Sequence, residues 1–225
     1  MLVGEFLGTA ALSLAVLSVS RQLGYAYFVS FAAGLTVVLM TLALAGISGA
    51  IFNPAMTIGL WTVRKLRTLQ ALAYLGAQLL GGAAAYWLFT YFAKAHLQNN
   101  HHYDSRVLIA ETIGSFVFAF GWAAAMYQRF SLTSKAAAIG GSLTLGIIVA
   151  SLGSAAFLNP AVALAARNWS WGTYVLGPVL GAVIGFNLYN LLFVETELAE
   201  VKVAKVETVK AKVAKPKVKT VSKKK

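Results

Sequence analysis

Residues 153–164 read GSAAFLNPAVAL and residues 48–59 read SGAIFNPAMTIG, so one tripeptide occurs twice, as Asn53-Pro54-Ala55 and as Asn159-Pro160-Ala161. Each copy lies in an apolar stretch, where a helix breaker and a bare amide both need a reason. Asn is a good helix N-cap, and Pro suits the first helical position because an N–H there has no intrahelical partner to lose. The tripeptide therefore starts a helix. The apolar runs that follow end at Arg64 and Arg167. About ten residues give about 15 Å of helix, half the hydrocarbon thickness of a bilayer.

The two copies belong to a longer repeat with an offset of 106 residues: EFLGT at Glu5 returns as ETIGS at Glu111, and in both halves the Asn lies 48 residues after that Glu. Gly8 pairs with Gly114, Gly34 with Gly140, Ser48 with Ser154 and Ala50 with Ala156. Apolar stretches of bilayer-spanning length fall at about 2–20, 28–47, 69–93, 107–127, 136–153 and 173–194, where a span needs roughly 20 residues. Each half thus holds three spans. An odd number reverses the second half's direction of entry, which is the inverted-topology repeat common in transport proteins. The two short helices then enter from opposite faces and meet near the middle, at a depth where broken backbone must be buried in protein or line a watery cavity.

Composition agrees with residence in lipid: of 225 residues, 59% are hydrophobic and 12% charged, and the mean hydropathy is +0.72. The first stretch lacks a basic leader and a small-residue cleavage site, so it reads as a retained span. Absence of cysteine removes disulfides and thiol chemistry. No nucleophile–base pair, carboxylate dyad or cofactor loop is visible, which argues against an enzyme, and no cofactor is implied. The net charge of +12 divides evenly, with ten Lys against four Glu from Glu195 onward and nine Lys or Arg against Glu5, Asp104 and Glu111 before it. Arg64, Lys65, Arg67, Arg129, Lys135 and the lysine-rich end fall in alternate loops. By the positive-inside rule both termini are cytoplasmic. The thinner opposite set is Arg21, Lys94, Arg106 and Arg167.

The two boxes, the ExxGT/S openings, YLGAQLLGG at 74–82 and VLGPVLGAVIG at 175–185 together resemble the aquaporin or major intrinsic protein family, over about residues 3–194. That resemblance implies an all-α polytopic membrane fold of six transmembrane helices plus two re-entrant half-helices, one pore per subunit and a homotetramer. It implies that Asn53 and Asn159 donate amide hydrogens to passing water while their oxygens cap the half-helices, and that Glu5 and Glu111 are buried carboxylates holding the re-entrant loops. The family's four filter positions correspond by spacing to Ala33, Ile147, Ala156 and Val162. None matches a water-selective or glycerol-selective pattern, and Val162 stands where an Arg is usual. The expected activity is passive passage of water and small neutral solutes such as glycerol, urea or ammonia through an atypical apolar filter. An apolar ring that dewets and conducts little is the other outcome.

Residues 1–195 read as the channel domain, with repeats at about 1–95 and 107–194, and 196–225 as a lysine-rich tail. Its alternation of Val or Ala with Lys, without aromatics, reads as disordered and drawn to anionic lipid. A second function class follows: a gated or poorly conducting membrane protein whose tail tethers lipid or, nonspecifically, nucleic acid. Arg167 lies five residues past Val162 and reads as snorkelling to the interface, with displacement into the filter as the rival reading. His96, His101, His102 and Asp104 read as a solvated loop, their spacing supporting no metal site. Trp61, Trp87, Trp122, Trp169 and Trp171 read as an interfacial belt. Gly81, Gly82, Gly181 and Gly185 read as close helix crossings.

Overall fold

The computed structural model describes residues 1–24 and 26–194. The lysine-rich tail, and with it the disorder read for 196–225, lies outside the described residues. Nine α-helices form among those described: α1 (Leu2–Gln22), α2 (Ala26–Ser48), α3 (Pro54–Thr62), α4 (Thr68–Ala93), α5 (Ser105–Tyr127), α6 (Leu132–Ala150), α7 (Pro160–Ala165), α8 (Trp171–Tyr174) and α9 (Leu176–Tyr189). A π-turn segment, Asn190–Val194, extends α9. Helices α1, α2, α4, α5 and α6 and the combined segment Trp171–Val194 are long and apolar enough to cross a membrane. The sixth span is interrupted at Val175, because Pro178 has no N–H to return to the preceding turn.

The repeat is visible in the packing. Helix α1 lies along α4 and α2, α5 lies along α9 and α6, and α2 crosses α6 where the halves meet. Glycine makes that last crossing close. A methyl group on Gly140 would sit 2.4 Å from the Gly34 carbonyl, and one on Gly34 would sit 2.7 Å from the Gly140 carbonyl. The two halves also exchange their short helices, α3 packing against α9 and α7 against α4. Gly82 permits the second contact, since a Cβ there would lie 2.3 Å from the Ala161 carbonyl oxygen.

Three boundaries depart from the sequence reading. Helix α3 has nine residues and α7 only six, about 13 Å and 9 Å at 1.5 Å per residue, so both are shorter than the apolar runs suggest. Each stops in a Schellman turn: the N–H of Arg64 bonds Trp61 O and that of Lys65 bonds Leu60 O, while the N–H of Arg167 bonds Leu164 O and that of Asn168 bonds Ala163 O. The left-handed residue in each turn is an arginine, with φ 59° and 62°, where Gly is usual. Helix α6 begins at Leu132, earlier than position 136, because the Ser131 hydroxyl caps it by accepting from Ser134 N at 3.1 Å. Lys135 is therefore in its first turn and not in the preceding loop.

Candidate functional site

The re-entrant loops 49–53 and 155–159 place left-handed residues at alternate positions, Ala50 and Phe52 at φ 57° and 53°, Ala156 and Leu158 at φ 54° and 51°. Such residues cost roughly 1–2 kcal/mol each, and they turn successive N–H groups toward one acceptor. Ile51 and Phe52 donate to the two oxygens of Glu5 at 3.1 and 2.7 Å. Phe157 and Leu158 donate to those of Glu111 at 3.0 and 2.7 Å. Both carboxylates are completely buried. Charge-assisted bonds of this kind are roughly twice as strong as neutral ones, which offsets the strain in the loops. The remaining partners differ: Glu5 accepts from the Gln78 amide at 2.8 Å, and Gln78 also bonds Thr57, whereas Glu111 accepts from the Ser154 hydroxyl.

The loops deliver Asn53 and Asn159 to a common junction where α3 and α7 meet. Asn53 Oδ1 accepts from Ala55 N at 2.8 Å and from Met56 N at 3.4 Å, and Asn159 Oδ1 accepts from Ala161 N at 2.9 Å. Pro54 and Pro160 occupy the first helical positions. Each amide nitrogen reaches across the junction: Asn53 Nδ2 donates to Leu158 O and Asn159 Nδ2 to Phe52 O, both at 2.9 Å. The crosswise pair is absent from the sequence reading. A side-chain amide has two hydrogens, so one per Asn is taken by the opposite loop and one is left. The positive ends of both helix dipoles converge on the same place.

A cavity of about 530 Å³ opens above this junction, on the face where α1 and α4 end. Asn159 stands on its wall, and Asn53 does not. Ala33 from α2, Ile147 from α6, Ala156 from the loop and Val162 from α7 all line it. The four positions taken from the family resemblance thus share one space, each 3% exposed or less. Polar groups on the wall are Ser20, Arg21, Ser151, Ser154, Asn159 and Asn168.

Arg167 does not line the cavity. Its guanidinium lies 4.9 Å from the centroid of the Tyr86 ring and 5.0 Å from that of Trp169, so displacement into the filter is excluded. The backbone beside it makes a two-residue parallel bridge, Asn100 N to Arg167 O at 3.0 Å and Trp169 N to Asn100 O at 2.7 Å, which ties the loop after α4 to the end of α7. His96, His101 and His102 are exposed, and Asp104 caps α5 by accepting from Arg106 N at 2.7 Å. Trp122 corrects the belt reading: it is 3% exposed and packs on Phe118 and Phe186 in the core. Trp61, Trp87 and Trp171 are exposed as read.

Sequence reasoning missed Gln78, Thr57 and Arg21. Ser154 carried a signal, since the repeat pairs it with Ser48, and each hydroxyl accepts from the N–H two residues on, Ala156 at 2.9 Å and Ala50 at 3.1 Å. Gln78 stood inside the quoted YLGAQLLGG run as a lone polar residue among apolar ones. Nothing in the sequence singled out Arg21 from the other bases of its face.

Comparison with known proteins supports this architecture. Aquaporin NIP1-1 of Oryza sativa subsp. japonica is 33% identical over 184 residues, which cover 75% of this chain and 63% of that protein. Aquaporin Z of Photorhabdus laumondii is 28% identical over 229 residues, covering 87% of this chain and 98% of its own. The crystal structure of the aquaglyceroporin from Plasmodium falciparum superposes with a TM-score of 0.71 at 21% identity, over 85% of this chain and 95% of that one, and so shares the fold. The model for the major intrinsic protein family matches residues 1–190. With its six apolar spans, this chain is a multi-pass membrane protein belonging to the major intrinsic protein family.

Proposed function

We propose that residues 1–195 form a passive channel for water and small neutral solutes, with Asn53-Pro54-Ala55 and Asn159-Pro160-Ala161 at its centre. The observation that carries this reading is the bonding of the two amides. Each oxygen is committed to a helix cap and each nitrogen keeps one hydrogen beyond the crosswise bond. A water arriving there can accept but finds no acceptor on the side chain, so its orientation is set and a continuous donor chain through the centre is broken. Cations meet the two helix ends, each carrying about half a positive charge.

Ala33, Ile147, Ala156 and Val162 form the filter of this channel. Their apolar side chains leave the ring itself without a bidentate donor, which favours uncharged solutes such as glycerol, urea or ammonia alongside water. Subunits assemble as a homotetramer. Phe28, Phe31, Leu35, Leu39 and Leu42, large apolar side chains exposed along α2, supply a surface for lipid or neighbouring copies. Both termini are cytoplasmic, by the distribution of basic residues, and the lysine-rich residues 196–225 contact anionic headgroups. Stopped-flow light scattering on proteoliposomes tests the reading. Water and glycerol fluxes above those of empty vesicles are expected, and intact protein with no added flux overturns it.

A further inference from the structure

We infer that Arg21, on α1, supplies the positive charge that rejects cations at the mouth of the cavity; the inference rests on the channel reading above. Among the described residues, four bases lie at the helix ends on the side where the cavity opens: Arg21 at the end of α1, Lys94 at the end of α4, Arg106 at the start of α5 and Arg167 at the end of α7. Of these, Arg21 lines the cavity. It completes a stripe on α1 that runs outward through Leu12, Val16, Leu17 and Ser20, all on the same wall. Arg21 stands about 7 Å beyond Val16 along the helix, between the apolar ring and the exit. Val162 leaves the ring itself uncharged, and Arg167 is held between two aromatic rings off the cavity wall.

The arginine is held in place from two directions. Its Nη1 donates to Ala93 O, the last residue of α4, at 3.0 Å, and its guanidinium lies 6.0 Å from the Phe89 ring centroid. Carbonyls at a helix C-terminus lack intrahelical partners and carry the negative end of the dipole, so α4 anchors the cation without neutralising it. The three carboxylates before Glu195 have other tasks: Glu5 and Glu111 hold the loops, and Asp104 caps α5. Guanidinium keeps its charge at any physiological pH and has four N–H donors besides the one given to Ala93. A cation entering the cavity therefore passes a positive charge that none of these carboxylates pairs with before it reaches the ring.

Full-length protein in proteoliposomes tests this through potassium leak, measured beside stopped-flow water flux. Arg21→Gln keeps a donor for the Ala93 carbonyl and loses the charge. Its potassium leak should rise about tenfold, the factor for a unit charge roughly 6 Å from the path at an effective dielectric of about 40, while Arg21→Lys should stay at the wild-type level. The chain has no cysteine, so Arg21→Cys offers a second route in protein already folded. A trimethylammonium-ethyl methanethiosulfonate adduct should restore low leak, and a neutral methyl adduct should not. Leak in Arg21→Gln equal to wild type, with water flux still well above empty vesicles, overturns the inference. So does equal leak in Gln and Lys variants, which assigns Arg21 a purely structural bond. Absence of wild-type water flux overturns the channel reading and this inference with it.

Discussion

Replacing Glu111 with Ala removes the acceptor for three donors at once, the N–H groups of Phe157 and Leu158 and the hydroxyl of Ser154. The side chain is completely buried, so the donors lose their partner in a place where each unsatisfied group costs about 1–3 kcal/mol. The expected loss is about 3–9 kcal/mol, comparable with the whole stability of a typical domain, about 5–15 kcal/mol. Glu111→Gln behaves differently. Its carbonyl oxygen still accepts one N–H, its amide nitrogen opposes the other, and removal of a buried charge returns some of the desolvation cost. A net loss of about 1–3 kcal/mol is expected for Gln. Unfolding in mixed micelles with increasing sodium dodecyl sulfate, followed by the fluorescence of the five tryptophans, measures both. An Ala variant within about 1 kcal/mol of wild type would mean that the loop is not held by its carboxylate. Equal losses for Ala and Gln would refute the donor count.

Three further outcomes follow from the geometry. Val162→Arg puts a cation into the ring formed with Ala33, Ile147 and Ala156, and a unit charge about 5 Å from the path at a dielectric near 20 adds about 3 kcal/mol against cations; stopped-flow assays should show glycerol flux falling much more than water flux as the ring narrows. Gly82→Ala pushes a methyl group against the Ala161 carbonyl and should cost about 1–3 kcal/mol by overpacking, whereas Gly76→Ala, with open space around it, should gain about 0.5–1 kcal/mol from helix propensity, both read by the same denaturation. Arg64→Gly should stabilise by about 1 kcal/mol by relieving a left-handed arginine, but Arg167→Gly should not, because it also gives up two ring contacts worth about 0.5–1 kcal/mol each; thermal shifts of opposite or unequal sign check the pair.

Helix number, the two half-helices and the inverted repeat were legible because they rest on strong local signals: length of apolar runs, an Asn-Pro start and a constant 106-residue offset. The end of α7 was not legible. Its apolar run continues to Ala166, and the stop is made by an arginine in the left-handed conformation, a residue that carries no stop signal where Gly would. The start of α6 was lost because Ser131, Thr133, Ser134 and Lys135 are polar and the stretch reads as loop until the serine is seen as a cap. Trp122 was misplaced since proximity to a helix end says nothing of which face it occupies. The bonds from Asn53 to Leu158 and from Asn159 to Phe52 span 105 and 107 residues. Neither local pattern contains them. Only after the two loops are brought together does a spare amide hydrogen meet the carbonyl of a left-handed residue in the opposite loop. Arg21 depended likewise on how α1 is rotated against α4, which a span pattern leaves open.

The pseudo-symmetry is not uniform, and its gradient separates two tasks of the proposed channel. At the junction the halves share their principal bonds: a carboxylate takes two successive N–H groups, an Asn caps its own helix, and each amide reaches the opposite loop. That mutual bonding makes the centre stiff, and a solute of any size meets the same positive helix ends from either side. Size selection cannot be tuned there without breaking a bond that the other half needs. Divergence appears outward, where α7 is three residues shorter than α3 and the four-residue ring takes one residue each from α2, α6, the loop and α7. Each of those four side chains can change alone. The charge that excludes cations at the mouth, by the inference above, comes from yet another element, α1. Exchanging ring residues for other uncharged ones should therefore shift the ratio of glycerol to water flux while potassium leak stays low, and losing the Arg21 charge should raise the leak.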